Sequence, residues 1–296
     1  MNRVIPIVRK VLKWTLGTAL VLVLLLLLTM EIFDRYLASE KGAAMFYSKV
    51  PQEVMIKRTD SGVRYLEIGD AAKPALMLIH GAPGSIWDWR AFAMRERVYD
   101  RYRLLIVERP GYGASRPKGA EPSIMVQSER LLEVLESEAG KTDVMGHSYG
   151  APIAVAMAGL GPEKIGRVIA ASGQYDPDNE MILKVSYFVQ FGIFRYLLPR
   201  MLWVSNVEKL EHPKAQREAM EIWPKVTHRV ELIHGDADSL VPYENSPWVA
   251  ELLGGPVDMI TLPGLDHAIH FTEVEYMVDF ALSKVGNPPS PPAPES

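Results

Sequence analysis

The stretch Gly146-His147-Ser148-Tyr149-Gly150 is the most informative part of this 296-residue chain. Two apolar residues, Val144 and Met145, precede it, and a helix-forming run at residues 151–158 follows it. A Gly-x-Ser-x-Gly pattern between a strand and a helix is typical of a sharp turn that lifts the serine hydroxyl above the end of a sheet. The glycines are needed because a side chain at either position would collide with the neighbouring strand or helix. We therefore predict that Ser148 is a nucleophile.

A base and an acid for this serine follow in the sequence. A serine hydroxyl is a poor nucleophile until an imidazole accepts its proton and a carboxylate orients that imidazole. The run Arg229-Val-Glu-Leu-Ile-His234 predicts a strand, and the loop after it contains Asp236 and Asp238. The run Met259-Ile-Thr-Leu262 predicts another strand, and its loop contains His267. The sequence thus supplies serine, aspartate and histidine, in this order, each after a predicted strand.

Two upstream loops complete a resemblance to a known fold. The predicted strand at residues 75–79 leads into His80-Gly81-Ala82-Pro83-Gly84, and the one at residues 104–107 precedes Arg109-Pro-Gly-Tyr-Gly-Ala-Ser115. With the serine turn and the order of the three polar residues, these loops make residues 53–285 resemble the α/β-hydrolase fold superfamily, in its serine esterase and lipase-like members. The family usually has an aspartate where this chain has Glu108. The resemblance implies a mostly parallel central sheet flanked by helices.

The resemblance also implies a role for each site residue. Ser148 would attack a carbonyl carbon, His267 would accept and later return the proton, and Asp238 would orient His267. The backbone N–H groups of Ala82 and Tyr149 would form the oxyanion hole, which leaves their side chains free to shape the pocket.

Several neighbouring residues compete for these roles. The Gly-x-x-Asp spacing of the family favours Asp238 over Asp236, which is then a turn or cap residue. His270 lies nearer the start of the next helix than His267 and is interpreted as a structural partner. His80 and His147 lie inside the motifs, and we expect them to brace loops through hydrogen bonds.

No metal and no organic cofactor are expected. The pair His267-x-x-His270, together with the two aspartates, suggests metal ligation at first sight. These loops lack a tight helical ligand pair such as His-Glu-x-x-His. The proposed chemistry needs only protein groups.

A helical cap is expected at about residues 176–226, where the alternation of strands and helices stops. Residues 181–198 predict one helix, Pro199 interrupts it, and residues 213–222 predict another. Aromatic side chains of the cap and of the loop after residue 84 either pack against the body or line an apolar acyl or alcohol pocket. The pocket candidates are Trp87, Phe188, Phe191 and Trp203, with Tyr187, Phe194 and Trp89 as further possibilities.

The amino terminus predicts a single transmembrane helix. Residues 14–30 contain no charge and are apolar on all sides, unlike a water-soluble helix. The nine Leu and Val residues at positions 20–28 favour insertion by roughly 3 to 5 kcal/mol. Mixed charges follow this run, and four basic residues precede it, which are Arg3, Arg9, Lys10 and Lys13. This distribution of charge predicts a cytoplasmic amino end and a catalytic domain on the other side of the membrane. In a Gram-negative bacterium that side would be the periplasm.

A cleaved signal peptide is the alternative to this anchor. Its apolar core normally has about 7 to 15 residues and ends at a small-residue site. The core here is longer, and only residues 37–39 and 42–44 offer imperfect cleavage sites. We therefore interpret residues 1–35 as a cytoplasmic stub and anchor, 36–287 as the hydrolase domain with its cap, and 288–296 as a disordered Pro-rich tail.

Composition excludes some classes of partner and leaves one leading function. A net charge of −4 without a basic run argues against nucleic acid, and the absence of cysteine excludes disulfides. The leading hypothesis is a membrane-anchored carboxylesterase that acts on an apolar or lipid-like ester through an acyl-enzyme intermediate.

Other functions of the same fold stay open. They are an aminopeptidase or amidase, a hydrolase of carbon–carbon bonds, and a non-catalytic binding protein. Aminopeptidases resemble this chain in the loop at residues 80–84, although their usual second glycine is alanine here. Relatives that cleave epoxides or carbon–halogen bonds have an aspartate at the position of Ser148, which argues against those reactions.

Overall fold

The computed structural model of this protein describes residues 4–115 and 119–292, which form a three-layer α/β structure. Its middle layer is one sheet of eight strands, which are β1 (Val54–Arg58), β2 (Arg64–Ile68), β3 (Ala75–Ile79), β4 (Arg103–Val107), β5 (Thr142–His147), β6 (Ile165–Ala171), β7 (Val230–Gly235) and β8 (Val257–Leu262). Their order across the sheet is β1-β2-β4-β3-β5-β6-β7-β8. Only the pairs β1–β2 and β2–β4 are antiparallel. The predicted α/β-hydrolase fold with a mostly parallel sheet is confirmed.

The central strands are apolar because both faces of the sheet are covered. All five residues of β3 are buried, as expected for a strand of a parallel sheet between two helical layers. Met77 packs into the core on one face, with Ile153. Leu76 packs into the core on the other face, with Trp89 and Phe280. The alternation of side chains along one strand therefore builds two separate cores.

Short helices form the two outer layers. The larger core contains side chains from α4 (Ile124–Leu132) and α5 (Gly150–Leu160). The other core contains side chains from α3 (Arg90–Ala93), α10 (Ile269–Thr272) and α11 (Val274–Leu282). Helix α9 (Asn245–Ala250) packs against β7 and β8.

The segment between β6 and β7 is a helical cap. It contains α6 (Lys184–Val189), α7 (Phe194–Leu197), α8 (Arg200–Ala219) and a 3-10 turn at Trp223–Lys225. The prediction that a helix begins at Pro213 was wrong, because α8 begins at Arg200 and continues through this proline. A proline inside a helix removes one backbone hydrogen bond. Here buried side chains on both sides of it, Glu208 and Gln216, hold the helix in place.

The amino-terminal helix α1 (Val4–Ala38) is continuous, and α2 (Glu40–Phe46) follows it directly. By length and composition, Arg9–Ala38 is able to cross a membrane. A helix this apolar in the core of a soluble protein would be mostly buried, whereas none of the most apolar window of this one is buried. Arg3 and residues 293–296, which carry parts of the predicted topology and tail, lie outside the described residues.

The carboxyl end of α1 is attached to the body. Leu37 is buried, and the guanidinium of Arg64 donates hydrogen bonds to the carbonyls of Leu37 and Ala38. The same guanidinium forms a fully buried ion pair with Glu108 over 2.7 Å. Glu108, where the family usually has an aspartate, thus fixes the arginine that holds α1.

Candidate active site

The turn at Ser148 has the geometry that its glycines allow. Strand β5 ends at His147, α5 begins at Gly150, and Ser148 between them has a φ of 53°. This left-handed conformation is uncommon for residues other than glycine and often marks a functional site. A Cβ atom at Gly146 would lie 2.1 Å from the carbonyl oxygen of Gly150, and one at Gly150 would lie 2.5 Å from that of Ile79. Only glycine fits at either position, and the turn stays sharp.

Three side chains from separate loops form one line of hydrogen bonds. The Ser148 hydroxyl donates to Nε2 of His267 over 3.0 Å, and Nδ1 of His267 donates to Oδ2 of Asp238 over 2.8 Å. The three residues follow β5, β8 and β7, which are parallel and end at one edge of the sheet. In this arrangement an imidazole is able to accept the serine proton while a carboxylate fixes its tautomer.

The carboxylate of Asp238 is held by more than His267. Its Oδ1 accepts the backbone N–H groups of Leu240 and Val241, and its Oδ2 also accepts from Nε2 of His234. Burial alone would raise the pKa of Asp238, but the hydrogen bonds from His234 and His267 hold it well below its usual range. Asp238 therefore stays ionised opposite His267. Sequence reasoning missed His234, whose only signal was its position at the end of β7.

Asp236 and His270, the alternative acid and base, make contacts outside the line of hydrogen bonds from Ser148 to Asp238. Oδ1 of Asp236 accepts the backbone N–H of Gly264 over 2.6 Å, which ties two loops together. The ring of His270 is buried between those of His147 and Phe271, at centroid distances of 3.6 and 3.8 Å. Burial lowers the pKa of His270 to about 3, so this ring is neutral. Within the described residues, no group of three or more His, Cys, Asp or Glu residues is arranged to hold a metal ion.

The two histidines inside the motifs brace loops. Nε2 of His80 accepts the backbone N–H of Arg109 over 3.1 Å, and its Nδ1 donates to the carbonyl of Gly81 over 2.8 Å. Nε2 of His147 donates to the carbonyl of His267 over 2.9 Å. Burial lowers the pKa of both imidazoles well below the usual value. Both are therefore neutral, and His147 fixes the loop that carries His267.

Two free backbone donors lie beside the serine. A Cβ atom at Gly81 would be 3.0 Å from Cβ of Ser148, so the loop that contains Ala82 passes directly over Ser148. In the part of the chain that the structure describes, the N–H groups of Ala82 and Tyr149 have no protein acceptor. Both N–H groups are free to donate to a bound group, and their role as an oxyanion hole stays a prediction.

Arg109 holds the loop that contains Ala82, a role that sequence reasoning missed although it quoted the residue. The guanidinium is fully buried, and all five of its N–H groups have acceptors. Nε donates to the carbonyl of His80 and Nη2 to that of Gly81, at 3.0 and 2.8 Å. The remaining bonds are to Gln127 and to both carboxylate oxygens of Glu208.

The bond from Arg109 to Gly81 sets the direction of the backbone N–H of Ala82. The carbonyl of Gly81 and the N–H of Ala82 belong to one trans peptide unit, in which they point in opposite directions. Because Arg109 and His80 both donate to this carbonyl, they fix the plane of the peptide and with it the direction of the N–H of Ala82. Arg109 thus acts as a positioning residue.

The same cation joins the cap to the serine turn. Its guanidinium carbon lies 4.6 Å from the ring centroid of Tyr112 and 4.7 Å from that of Tyr149. Glu208, on the cap helix α8, accepts from Arg109 and from the hydroxyl of Tyr112. Burial tends to lower the pKa of Arg109, but the adjacent Glu208 carboxylate raises it above its usual range, so the guanidinium remains charged. The side chain of Tyr149 is therefore locked rather than free to shape a pocket.

The predicted pocket residues differ in their location and exposure. Trp203 packs with Ala82 in a small cluster built on Tyr112, Met201 and Val204. Trp87 is half-buried and stacks on Phe271, with ring centroids 5.2 Å apart. Phe188 and Phe191 are instead about 60% exposed on the outside of the cap, and Trp89 is buried in the core. The first two remain pocket candidates, and the two phenylalanines face away from the protein.

Asp88 is a buried acid next to the loop of residues 80–84. Its Oδ1 accepts the backbone N–H of Ser85 over 3.3 Å, and a Cβ atom at Gly84 would lie 2.7 Å from its Oδ2. Burial raises the pKa of Asp88 well above its usual range. This carboxyl therefore remains protonated in the folded chain at pH values at which the unfolded chain is ionised.

The first prediction concerns Arg109. We expect Arg109→Lys to lower kcat about 100-fold, the effect of losing one oxyanion donor, with little change in KM, because a lysine offers three donors where the guanidinium offers five. Arg217→Lys, an exposed change on α8, serves as the control. Steady-state kinetics on a soluble ester measure both. A folded Arg109→Lys variant with unchanged kcat would contradict the positioning role.

The second prediction concerns pH. Above the ordinary pKa of an aspartate, folding takes up a proton at Asp88, so stability falls as the pH rises toward the raised pKa. The Asp88→Asn variant has no carboxyl at this position, so it lacks this loss of stability. Each unit by which folding raises the pKa of Asp88 corresponds to about 1.4 kcal/mol in the free energy of unfolding. We expect its melting temperature, relative to the wild type, to rise steadily between pH 4 and pH 8. Asp60→Asn, at an exposed position, provides a reference, and a difference that is constant with pH would refute the assignment.

Comparisons with known proteins identify the family of this chain. A model described as the α/β hydrolase family matches residues 76–280. The 2-hydroxymuconate semialdehyde hydrolase of Pseudomonas sp. (strain CF600) is 26% identical over 257 residues, which cover 72% of this chain and 85% of that protein. Epoxide hydrolase 4 of Mus musculus is 27% identical over 183 residues, or 56% of this chain.

Not all of each relative is matched. The chain spans 50% of the length of this epoxide hydrolase. It also spans 41% of the dihydrolipoyllysine-residue acetyltransferase component of the acetoin cleaving system of Pseudomonas putida, to which it is 26% identical, with 51% of this chain aligned. The activities of these whole proteins are therefore not transferred to this chain.

Solved structures share the fold at low identity. A putative lipase of Acinetobacter baumannii superimposes with a TM-score of 0.64 at 16% identity, covering 81% of this chain and 92% of that one. A membrane phospholipase A, described as a bacterial virulence factor, does so with a TM-score of 0.57 at 18% identity, covering 91% and 98%. Identities this low show the fold alone. Because the family model spans most of the chain, this protein belongs to the α/β hydrolase family.

Proposed function

We propose that this chain is a membrane-anchored serine hydrolase, and specifically a carboxylesterase for apolar or lipid-like esters. The observation that carries the proposal is the line of hydrogen bonds from Ser148 through His267 to Asp238, at 3.0 and 2.8 Å. Two backbone donors without other acceptors lie beside the serine. A carboxylic ester needs this combination of nucleophile, base and oxyanion donors.

The reaction follows from the positions of these groups. Ser148 Oγ attacks the carbonyl carbon as its proton moves to Nε2 of His267, and the carbonyl oxygen becomes an oxyanion held by the N–H groups of Ala82 and Tyr149. The tetrahedral intermediate collapses, and His267 returns the proton to the departing alcohol. Water then attacks the acyl-serine, His267 takes a proton from this water, and the acid leaves as Ser148 recovers its proton. Asp238 stabilises the imidazolium in both halves.

The apolar character of the substrate is supported by the surroundings of the oxyanion loop. Ala82 packs with Met201, Val204 and Trp203, and Met30 of α1 joins the same cluster. An acyl or alcohol chain at this place would meet apolar side chains on the cap and on α1. The fold similarity to proteins described as a putative lipase and a membrane phospholipase A is consistent with this substrate class.

Retention of α1 as an anchor is supported by the contacts of its carboxyl end. The small-residue positions that a signal peptidase would recognise, residues 37–39 and 42–44, lie within a docked segment. Leu37, Gly42 and Ala43 are buried, and Arg64 holds the carbonyls of residues 37 and 38. Cleavage there would cut the body of the domain. The basic residues Arg9, Lys10 and Lys13 favour a cytoplasmic amino end.

The third prediction identifies the nucleophile. We expect Ser148→Ala to abolish labelling by a fluorophosphonate probe and to lower the hydrolysis of p-nitrophenyl esters by at least about 10⁴-fold, because no acyl-enzyme forms. Ser137→Ala, at an exposed position, should leave both unchanged. Labelling of the Ser148→Ala protein at another residue would mean that the nucleophile is misassigned. An intact chain inert to the probe and to all activated esters would favour a non-catalytic binding protein.

The fourth prediction concerns the membrane. Because α1 is exposed over its apolar length and continuous with the domain, we expect the full chain to stay in the pellet after extraction of membranes with alkaline carbonate. The amino-terminal sequence of the isolated protein should begin before residue 14. Release into the supernatant with a new terminus after residue 30 would show a cleaved leader instead.

A hydrolase of carbon–carbon bonds is the second candidate. The alignment with the 2-hydroxymuconate semialdehyde hydrolase is longer than those with the other two relatives described above and covers most of both chains. The same serine, histidine and oxyanion donors would serve either reaction. Turnover of 2-hydroxymuconate semialdehyde, compared with that of p-nitrophenyl esters of increasing chain length, separates the two functions.

A further inference from the structure

The outside of the cap carries an apolar surface over which nothing in the described chain packs. Its members lie between residues 183 and 197 and are 57–64% exposed; we call them the apolar cap face, and they are Leu183, Val185, Phe188, Phe191, Ile193 and Leu197. Water-soluble monomers rarely expose contiguous apolar patches larger than on the order of a few hundred Å². A surface of this kind is normally covered by a partner or a membrane.

The charges around this face suit a phospholipid surface. Residues 181–207 contain Lys184, Arg195 and Arg200 but no acidic residue. The guanidinium carbon of Arg195 lies 5.6 Å from the ring centroid of Trp203, so this cation is held over an aromatic ring by a cation–π contact. Tyr196 is exposed beside it. Basic and aromatic residues at the edge of an apolar face are typical of interfacial helices.

The position of α7 relative to α1 gives the depth of this face. A cavity of about 1260 Å³ separates the two helices, with Leu24, Leu27 and Leu28 on one wall and Tyr196 and Leu197 on another. The uncharged run of α1 ends at Met30, so Leu24 lies roughly 9 Å below that end at 1.5 Å per residue. Interfacial helices are buried by about 5 to 10 Å. The cap thus reaches the level at which α1 would be surrounded by lipid.

The attachment of α1 keeps the cap at this level. A side-chain oxygen of Glu31 accepts the backbone N–H of Arg200, at the start of α8, over 3.0 Å. Arg64 holds the last turn of α1 at residues 37 and 38. With contacts on both the cap and the body, α1 has a fixed direction relative to the domain rather than the freedom of a tether.

We propose that the apolar cap face is inserted into the non-cytoplasmic leaflet of the bilayer that α1 spans, so that the cap is a second, monotopic membrane contact. The proposal rests on the anchoring proposed above for α1. Continuity identifies a bilayer as the occupant, because Leu20 to Leu26 of α1 are 51–61% exposed and Leu24 lines the same cavity as Leu197 of α7.

A cap inserted in the leaflet would take its substrate from the bilayer. Trp203 borders the cavity between α1 and the cap and also belongs to the cluster that contains Ala82. Trp203 therefore connects the cavity wall of Leu24 and Leu28 to the cluster at Ala82, and this is the direction from which a lipid ester of the leaflet would approach Ser148. The substrate is drawn from the membrane rather than from the aqueous phase.

The test measures depth in the full chain, reconstituted in phosphatidylcholine and phosphatidylglycerol vesicles. Since the chain has no cysteine, an environment-sensitive fluorophore attaches only at an introduced one. We expect a label on Ile193→Cys to be quenched at least fivefold more strongly by doxyl-labelled lipid than a label on Glu251→Cys, at the far end of the sheet. Equal quenching at both positions overturns the proposal. Energy transfer between copies, without lipid quenching at position 193, assigns the face to a second copy and also overturns it.

A kinetic comparison tests the route. The double variant Leu183→Ser, Ile193→Ser should lower the hydrolysis of vesicle-embedded phospholipid at least tenfold while p-nitrophenyl acetate hydrolysis stays within twofold. Equal rates of the wild type and the variant on vesicles would contradict the route. Fluorophosphonate labelling of Ser148 and carbonate extraction, measured on the same samples, report on the proposed nucleophile and anchor separately from the depth of the cap.

Discussion

A single buried cation, Arg109, connects the parts of this site that the chain supplies from distant segments. Its guanidinium holds the carbonyls of His80 and Gly81, lies against the ring of Tyr149 in the serine turn, and pairs with Glu208 on the cap. Burying an ion pair costs desolvation energy, which is offset only when its geometry is good and its remaining hydrogen bonds are satisfied. Here all five donors are used, so the pair fixes loop, turn and cap in one arrangement.

Much of the fold was predictable because local sequence patterns determine the strands and the turn at Ser148. The strand β3 has the limits that its apolar run indicates, and the steric need for Gly146 and Gly150 is visible in the pentapeptide itself. The order of Ser148, Asp238 and His267, each after a parallel strand, was also sufficient to expect their approach, since the ends of parallel strands share one edge of the sheet. These inferences needed only the pattern of apolar residues, the residue types that a sharp turn requires, and the order of the polar residues along the chain.

What the sequence did not reveal depends on contacts between distant residues. Glu208 is one of many acidic residues until the fold buries it against Arg109. His234 gains a partner only when the loop after β7 folds back over it. Pro213 suggested a helix boundary, yet tertiary packing of α8 overrides that local signal. Phe188 and Phe191 were apolar in the sequence, but only the structure shows that they face outward.

The fixation of the last turn of α1 by Arg64 has a mechanical consequence. A helix longer than the hydrocarbon thickness tilts in a thin bilayer and stands more upright in a thick one. For α1 in the proposed bilayer, the bonds from Arg64 to its last turn would make such a tilt rotate the whole domain, including the cavity between α1 and the cap. The acyl-chain length of the host lipids would thereby set how the catalytic edge is presented to its substrate, which makes bilayer thickness a natural control variable for this protein.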